Sequence, residues 1–254
     1  MTQPLRILDT GIAPARWNVA MTATLADGHA EGTTPDTVRF HRYRSCVLLG
    51  NGQDAAGAAD LEYCRRHGIE IARRVTGGGA VYMSPRMLAW DVVVAARSLG
   101  CDVDSVTRRI CDAVAAGLSR LGVRARFRAP NDVEIDGLKV SGSSGYVLGR
   151  SAVLQGTVLI EDDIATMADA LRIPGGALRG KVSCLASVLG AVPAMETIQV
   201  AIAEELAVSL GRTLRRAQTS DGELAAAEQC LLGEVGTDDY VTGTHAGGAP
   251  GAAP

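Results

Sequence analysis

The sequence lacks a long apolar run and a secretory leader. Its longest apolar stretch is interrupted by Asp91, so no segment approaches the roughly 18 residues that a membrane-spanning helix needs. The N-terminal segment MTQPLRILDT does not show the basic and then apolar layout of a signal peptide. These two absences predict a cytoplasmic protein that makes no contact with a membrane.

The cysteine and histidine spacing of a zinc site is also missing. None of the six cysteines forms a CxxC pair, and the chain has only four histidines. Free, reduced thiols are therefore expected. The formal net charge of −3 argues against a nucleic-acid partner, because proteins that bind nucleic acids usually carry a strongly basic surface.

Lysine is the scarcest charged residue. Only two of the 25 basic residues are lysines, Lys139 and Lys181, and the others are arginines. Arginine serves equally well at most surface positions, so a lysine kept in such a chain is a candidate for a site that needs a compact ammonium group. Chance alone would also leave two lysines, and the local context of each one must decide.

Strand and helix patterns divide the chain into one main domain and a C-terminal segment. A hydrophobic share of 47% and a charged share of 21% over 254 residues are typical of a globular protein. Strands come in pairs and hairpins with helices between the clusters, which predicts an α+β fold with a mixed or antiparallel sheet flanked by helices. We expect the main domain over residues 1–190, a helical appendage to it over 191–240, and a disordered tail over 241–254.

Hydrophobic periodicity and turn residues place the individual elements. The pair Asp136-Gly137 is the strongest hairpin signal, and it joins the strand DVEI to the strand LKVSG. His41 lies in one of the strands and is expected to be solvated. Strands are expected at 5–9, 37–43, 46–50, 69–75, 80–83, 88–96, 132–135, 138–142 and 152–160. Helices are expected at 14–25, 58–67, 102–121, 163–172, 195–210 and 221–232.

Three consecutive glycines follow two arginines in the segment RRVTGGGAV, residues 73–81. Glycines after a strand let the backbone approach a ligand closely and direct successive N–H groups toward an anion. The arginines add donors that suit a phosphate or a carboxylate. The spacing is neither that of a P-loop nor that of a dinucleotide-binding fingerprint. The alternative is a glycine-rich bulge between two strands with solvated arginines, and the motif alone does not decide between them.

A second polar segment, PNDVEIDGLKVSGSS, covers residues 130–144. Asp132 at a strand start, with Asn131 beside it, suits a magnesium ion held against phosphates. Lys139 leaves the hairpin next to small residues, and its ammonium is compact enough to contact a carboxylate and an α-phosphate at once. The alternative is an ordinary hairpin with a surface lysine, against which the scarcity of lysine argues modestly.

Together the two segments resemble the lipoate–protein ligases of the biotin/lipoate protein ligase family. RRVTGGGAVY is similar to the family segment RRxTGGGAVxHD, and ND…GLKVSGSS is similar to ND…GRKVSGSA. The glycine loop is of the lipoate type and not of the GRGRxGR type of biotin ligases. The resemblance runs from about residue 5 to 240 and includes, in family order, LRILDTG, PARWNVAMT, RFHRYRSCVLLGNGQ, EYCRRHGIEIARR, LQGTVLIEDDI and GKVSCLASVLG.

This chain departs from the family pattern at two places. Met83-Ser84 stands where the family usually has His-Asp, and Gln155-Gly156-Thr157 stands where it usually has His-Gly-Thr. Both imidazole rings are therefore replaced. We also expect no counterpart of the accessory C-terminal domain of the long ligases, so the resemblance leaves room for a separate small accessory subunit.

The resemblance implies the biotin/lipoate ligase catalytic-domain fold and an ATP-dependent, magnesium-dependent reaction in two steps. Lipoate, or a similar short acyl acid, would be activated as acyl-AMP and then transferred to a lysine of a lipoyl-carrier domain protein. Lys139 would be the catalytic residue and Asp132 would hold Mg²⁺. Val47 and Leu49 are candidates to line an acyl tunnel, and their default role is that of core residues. The residues expected to bind ATP and the acyl group are Arg74, Gly77, Gly78, Gly79, Ala80, Val81, Tyr82, Asn131, Asp132 and Lys139.

Cys184 supports a competing interpretation. Related acyltransferases carry an octanoyl group on a cysteine and use no ATP, and the ammonium of Lys181 nearby would favour the thiolate of Cys184. The alternative for Cys184 is a small buried apolar residue. A non-catalytic lipoyl-binding relative is a third reading, motivated by the missing histidines. The ligase remains the leading interpretation, because the glycine loop and Lys139 form a pair suited to a triphosphate.

Overall fold

The structure is a computed structural model, and it describes residues 3–99, 102–178 and 180–243. The strands are β1 (Leu5–Ala13), β2 (Thr37–Tyr43), β3 (Cys46–Leu49), β4 (Glu70–Arg73), β5 (Val81–Met83), β6 (Met87–Ala95), β7 (Ala125–Arg128), β8 (Asp132–Ile135), β9 (Leu138–Leu148), β10 (Ser151–Leu159) and β11 (Leu214–Arg216). The helices are α1 (Ala15–Glu31), α2 (Ala55–Ala58), α3 (Leu61–Arg66), α4 (Val103–Ser119), α5 (Ile164–Ala170), α6 (Gly175–Leu178), α7 (Leu185–Leu189), α8 (Met195–Leu210), α9 (Asp221–Cys230) and α10 (Asp238–Thr242). A 3₁₀ turn spans Ala96–Ser98, and a π-helical stretch spans Leu231–Val235.

Within these described ranges, eight strands form one mixed sheet in the order β11-β1-β2-β6-β10-β9-β8-β7. Strand β1 is parallel to both β11 and β2, whereas each neighbouring pair from β2 to β7 is antiparallel. A smaller sheet has the order β4-β3-β5, with β3 parallel to β4 and antiparallel to β5. The mixed sheet and its flanking helices confirm the α+β prediction.

Helices α4 and α8 cover one face of the large sheet. Trp90, Ile110 and Ile202 are completely buried in the core that forms there. The two helices approach closely at Gly117, where a Cβ atom would lie 2.7 Å from Cα of Ile202. Such a contact requires a residue without a side chain, so this glycine fixes how near α4 lies to α8.

Helix α1 and the small sheet enclose a second core on the other face. Strand β3 is buried along its whole length, and Val47 and Leu49 are fully inside this core. These two residues therefore pack as core side chains, the default role, and not as the lining of a tunnel among the described residues. Helix α1 also covers strand β2, so His41, expected to be solvated, is only 1% exposed.

The turn between β8 and β9 has the predicted hairpin conformation. Asp136 and Gly137 both adopt positive φ angles, +51° and +81°. Two successive residues of this kind form the type I′ turn that matches the twist of a hairpin. The turn fixes where β9 begins, and therefore the position of Lys139, the second residue of that strand.

The segment from 191 onward, expected to be a helical appendage, also contributes a strand and core residues. Its strand β11 pairs with β1, and Ile198 and Leu206 of α8 lie in the main core. The disordered tail was predicted to start at residue 241, but residues 241 and 242 belong to helix α10, so the predicted boundary was too early. Residues 244–254 of the tail lie outside the described part of the chain. No helix in the described part is long and apolar enough to cross a membrane.

Candidate active site

The glycine segment follows strand β4, and the side chain of Arg74 is folded into it. The guanidinium donates to the carbonyl oxygens of Leu48 at 3.0 Å, of Gly77 at 2.7 Å and of Gly79 at 2.7 Å, and its Nε donates to Thr76 Oγ1 at 3.1 Å. Burial lowers the pKa of Arg74 to about 10. An arginine has five N–H donors, so most of them here shape the loop itself. Arg74 was expected to contact phosphate, and the structure instead places it under the loop.

The backbone of the glycine triplet is exposed. A Cβ atom on Gly77 or Gly79 would meet none of the described atoms within 4 Å, so open space lies above the loop. Gly78 has a φ of +92°, which favours glycine, and a Cβ on Gly50 would overlap the Gly78 carbonyl oxygen. The loop is thus held tightly from below and is accessible from above, as a cradle for an anion requires.

Beyond the triplet the chain turns back into the fold. Ala80 and Val81 are partly exposed, whereas Tyr82 is only 3% exposed. The Tyr82 hydroxyl donates to Asp163 Oδ2 at 3.2 Å, and burial raises the pKa of Tyr82 to about 12. Ala80 and Val81 therefore remain candidates for ligand contact. Tyr82 was also expected to contact the ligand, but it belongs to strand β5 of the small sheet and its side chain is buried in the second core.

Lys139 and Asp132 of the second polar segment form a charged cluster with Arg128, which also lies 3.4 Å from Glu134 Oε2. Lys139 Nζ lies 2.6 Å from Asp132 Oδ1, and Arg128 Nη2 lies 2.6 Å from Asp132 Oδ2. Asp132 is buried while the Lys139 side chain is 35% exposed. A Cβ on Gly142 would lie 2.7 Å from Lys139 Nζ, so the lysine runs along the surface that this glycine leaves open.

This arrangement bears on the magnesium site expected at Asp132. Both carboxylate oxygens face cations, so the residue acts as the counter-ion of Lys139 and Arg128. Groups of three or more potential ligands among Asp, Glu, His and Cys do not occur within the described residues. A magnesium ion bound here would depend mainly on substrate phosphates and water for its ligands, as is common for this ion.

Asn131 joins the turn before β8 to strand β9. Its side-chain amide donates to the Ser143 carbonyl oxygen, and its backbone carbonyl oxygen accepts from Ser143 N at 2.9 Å and Ser143 Oγ at 3.0 Å. Asn131 therefore orders the turn that carries Asp132, and it is only partly exposed.

The two predicted segments meet at a hydrogen bond between two hydroxyl groups. Ser144 Oγ of β9 donates to Thr76 Oγ1 at 2.9 Å, next to the glycine triplet. Thr76 Oγ1 in turn donates to Gln155 Oε1 of β10 at 3.1 Å. The glycine loop and the lysine strand, which are distant in sequence, therefore belong to one site.

Cys184 follows a residue that pairs with the lysine strand, and its side chain is buried. The Ser183 N–H donates to the Lys139 carbonyl oxygen at 2.9 Å, so the chain before Cys184 pairs with the lysine strand. The thiol is 1% exposed, packs in the second core and lies 3.1 Å from Ser187 Oγ. Lys181, expected to favour its thiolate, is exposed. Cys184 therefore has the environment of a buried apolar residue.

Two parts of the site escaped sequence reasoning. Arg128 and its partner Asp132 stand four residues apart, a spacing that could have indicated the pair. Asp91, in the middle of an apolar strand, is buried 3.3 Å from Nη1 of Arg39. A charged residue inside an apolar strand needs a partner of opposite charge, so Asp91 itself was the sequence signal for the Arg39–Asp91 pair. The partner itself is set by strand register and cannot be read from the sequence.

Comparisons with known proteins identify the family of the chain. The family model of the lipoyl protein ligase A/B catalytic domain matches residues 14–207. The octanoyltransferase LipM of Symbiobacterium thermophilum is 27% identical over 92% of this chain and 97% of its own length. Lipoate-protein ligase A subunit 1 of Thermoplasma acidophilum is 31% identical over 58% of this chain and 59% of its own.

Solved structures show the same fold. The bipartite lipoate protein ligase of Thermoplasma acidophilum, studied with its E2 lipoyl domain, superposes with a TM-score of 0.89 at 24% identity and covers 98% of this chain and 100% of that one. A lipoate-protein ligase A bound with ATP gives a TM-score of 0.86 at 24% identity, covering 96% and 100%. These likenesses confirm the ligase-type fold that the sequence predicted.

Proposed function

The chain belongs to the family of the lipoyl protein ligase A/B catalytic domain, and within that family we propose that it is an ATP-dependent lipoate–protein ligase. As a family member it is an enzyme of lipoyl or octanoyl transfer to proteins. The observation that carries the finer proposal is the exposed Gly77–Gly79 backbone, linked through Thr76 and Ser144 to the strand of Lys139. An anion cradle and an ammonium in one site suit a nucleotide triphosphate.

In the first step, an oxygen of the acyl carboxylate attacks the α-phosphorus of ATP and the bond to pyrophosphate breaks. We propose that the N–H groups of Gly77–Gly79 bind phosphate oxygens, and the open space at Gly77 and Gly79 leaves room for such a ligand. Lys139 would turn from Asp132 toward the reacting carboxylate and α-phosphate, which its exposure permits. Arg128 would then remain as the partner of Asp132, so that the carboxylate is not left unpaired.

In the second step, the amine of a carrier lysine attacks the acyl carbonyl carbon, and AMP leaves with the electrons of the broken anhydride bond. The amine loses its proton to solvent or to the departing phosphate. Lys139, held close to both groups, would stabilise the negative charge that develops on the carbonyl oxygen. Positioning and charge stabilisation supply the catalysis, with no protein nucleophile required.

A cysteine-dependent octanoyl transferase is the second candidate, favoured by the relative named octanoyltransferase LipM. The position of Cys184 argues against it. A thioester on this sulfur would place an acyl chain in a core where the thiol is 1% exposed, so the surrounding side chains would have to move apart. The ligase reaction forms no bond to this sulfur.

The carrier and any accessory subunit are part of this proposal. The Thermoplasma acidophilum ligase is bipartite and was studied with an E2 lipoyl domain. We propose a lipoyl-carrier domain protein as the acceptor here, and a separate small ligase subunit as an optional partner. Activity assays should therefore be run with the chain alone and with such a subunit.

The test is intact mass spectrometry of a lipoyl-carrier domain incubated with the protein and lipoate, with and without Mg-ATP. We expect carrier modification only when Mg-ATP is present, with release of pyrophosphate. The matched reaction supplies an octanoyl-carrier donor and no ATP. Transfer in that reaction, abolished by Cys184→Ser, would replace the ligase with the cysteine transferase.

A further inference from the structure

A row of polar side chains crosses the middle of the large sheet in register. Arg39 of β2 pairs with Asp91 of β6, Asp91 with Gln155 of β10, and Gln155 with Ser144 of β9. Arg39 and Asp91 are 0% and 1% exposed, and burial raises the pKa of Asp91. Burying such a pair costs several kcal/mol unless its hydrogen bonds are well satisfied.

The hydrogen bonds of the row fix the orientation of the Gln155 amide. Its Nε2 donates to Asp91 Oδ1 at 3.1 Å and to Thr22 Oγ1 at 3.3 Å. The other Asp91 oxygen accepts from Thr22 Oγ1 at 2.9 Å and lies 3.3 Å from Arg39 Nη1. A carboxylate accepts only, so the amide nitrogen must face Asp91 and the amide oxygen must face the opposite way.

The amide oxygen faces Thr76, the residue directly before the glycine triplet. The Thr76 hydroxyl donates to Gln155 Oε1 and accepts from Ser144 Oγ at 2.9 Å and Arg74 Nε at 3.1 Å. These contacts use the one donor and two acceptor positions of a hydroxyl. Gln155 thus supplies the single acceptor that decides in which direction the Thr76 hydroxyl points.

We propose that Gln155 is a positioning residue, which transmits the fixed orientation of the buried Arg39–Asp91 pair to Thr76 and holds the start of the glycine loop in place. The inference deepens the proposed function and rests on it, because the loop matters for catalysis only if it binds substrate phosphates. Gln155 acts through Thr76.

Two substitutions of Gln155 test the proposal. Gln155→Met keeps the length of the side chain and removes all three hydrogen bonds of the amide, whereas Gln155→Glu places a second carboxylate about 3.1 Å from Asp91. Gln199 provides the matched control, because its Nε2 also donates to an aspartate, Asp9 Oδ2 at 3.1 Å, on the exposed surface of α8. Gln199→Met and Gln199→Glu therefore make the same chemical changes away from the site.

Two measurements are made on each folded variant: kcat and KM for ATP in carrier lipoylation, and hydrogen–deuterium exchange of the peptide containing residues 74–80. For both Gln155 variants we expect kcat to fall at least about tenfold, and loop exchange to rise about tenfold, the equivalent of one lost hydrogen bond. The melting temperature should drop by only a few degrees. The Gln199 variants should leave all of these values unchanged.

Unchanged loop exchange in the Gln155 variants would overturn the proposal, and so would faster exchange with unchanged kcat. Where a Gln155 variant fails to fold, Thr76→Val and Thr76→Ser repeat the test from the loop side. Thr76→Ser keeps the hydroxyl, so its loop exchange and kcat should stay close to those of the parent, whereas Thr76→Val should show faster exchange and a lower kcat. Equal behaviour of the two Thr76 variants would contradict the proposed role of the Thr76 hydroxyl. Absence of ATP turnover in the parent protein would overturn the proposed function instead, and loop exchange alone would then decide the role of Gln155.

Discussion

Replacement of Lys139 by arginine is the perturbation that probes the site most sharply. The ammonium lies 2.6 Å from Asp132 Oδ1 and runs along the surface left by Gly142. A guanidinium is planar and wider, and Arg128 already occupies the other oxygen of Asp132. The variant keeps the positive charge, so the change isolates the shape of the cation from its charge.

The expected magnitude follows from the position of the group. Loss of one donor that stabilises developing charge typically lowers kcat by about 100- to 1,000-fold, or about 3–4 kcal/mol. The free energy of unfolding should change by no more than about 1 kcal/mol, because the Lys139 side chain is partly exposed and its ion pair is screened by solvent. Activity and stability should therefore separate clearly.

The assay is pyrophosphate release with lipoate and Mg-ATP, together with urea unfolding of the same preparations. Gly142→Ala is a second variant, because its added methyl would lie 2.7 Å from the unchanged ammonium and displace it. Both variants should be folded and nearly inactive. Activity of Lys139→Arg within about threefold of the parent, less than 1 kcal/mol in the barrier, would remove the ammonium from the mechanism.

Three further outcomes are expected. Gly78→Val should weaken ATP binding, measured by calorimetry, far more than it lowers the melting temperature, since φ is +92° and the Cβ would lie 3.1 Å from Arg74 Nη2; normal binding by the folded variant would make the loop structural only. Cys184→Ser should retain carrier lipoylation with Mg-ATP to within a modest factor, and a hydroxylamine-labile acyl adduct on Cys184 of the parent would contradict this. Arg73→Lys should lower the free energy of unfolding by about 2 kcal/mol or more in urea titrations, because the buried guanidinium bonds the carbonyl oxygens of Tyr240, Val241 and Gly50, and an unchanged value would refute that anchoring role.

Elements with local signals could be predicted from the sequence. The hairpin at Asp136-Gly137 and helix α8 lie where turn chemistry and periodicity placed them. The helix predicted over 58–67 is interrupted in the structure. Helix α2 ends at Ala58, and Asp60 caps the start of α3 by accepting a hydrogen bond from Tyr63 N. The strands β7 and β11 were missed, since arginine makes up at least half of each and neither contains the apolar run that marked the other short strands.

The candidate site was only partly predictable, for a different reason. Sequence identifies residue types, but the direction of a side chain depends on what packs around it. Arg74 therefore looked like a phosphate ligand, although its donors face the loop carbonyls. Asp91 and Gln155 face each other because β6 and β10 are in register, a relation between distant segments that local patterns do not contain.

The central claim is that the protein activates its acid on ATP before any carrier is present. The most direct measurement is mass spectrometry of the small molecules bound to the protein after incubation with lipoate and Mg-ATP alone, without carrier. Bound lipoyl-AMP, with stoichiometric pyrophosphate, is the result expected for the parent, and its loss is expected for Lys139→Arg. A parent protein that forms no adenylate, with or without an accessory subunit, yet acquires an octanoyl thioester from a carrier donor would contradict the claim.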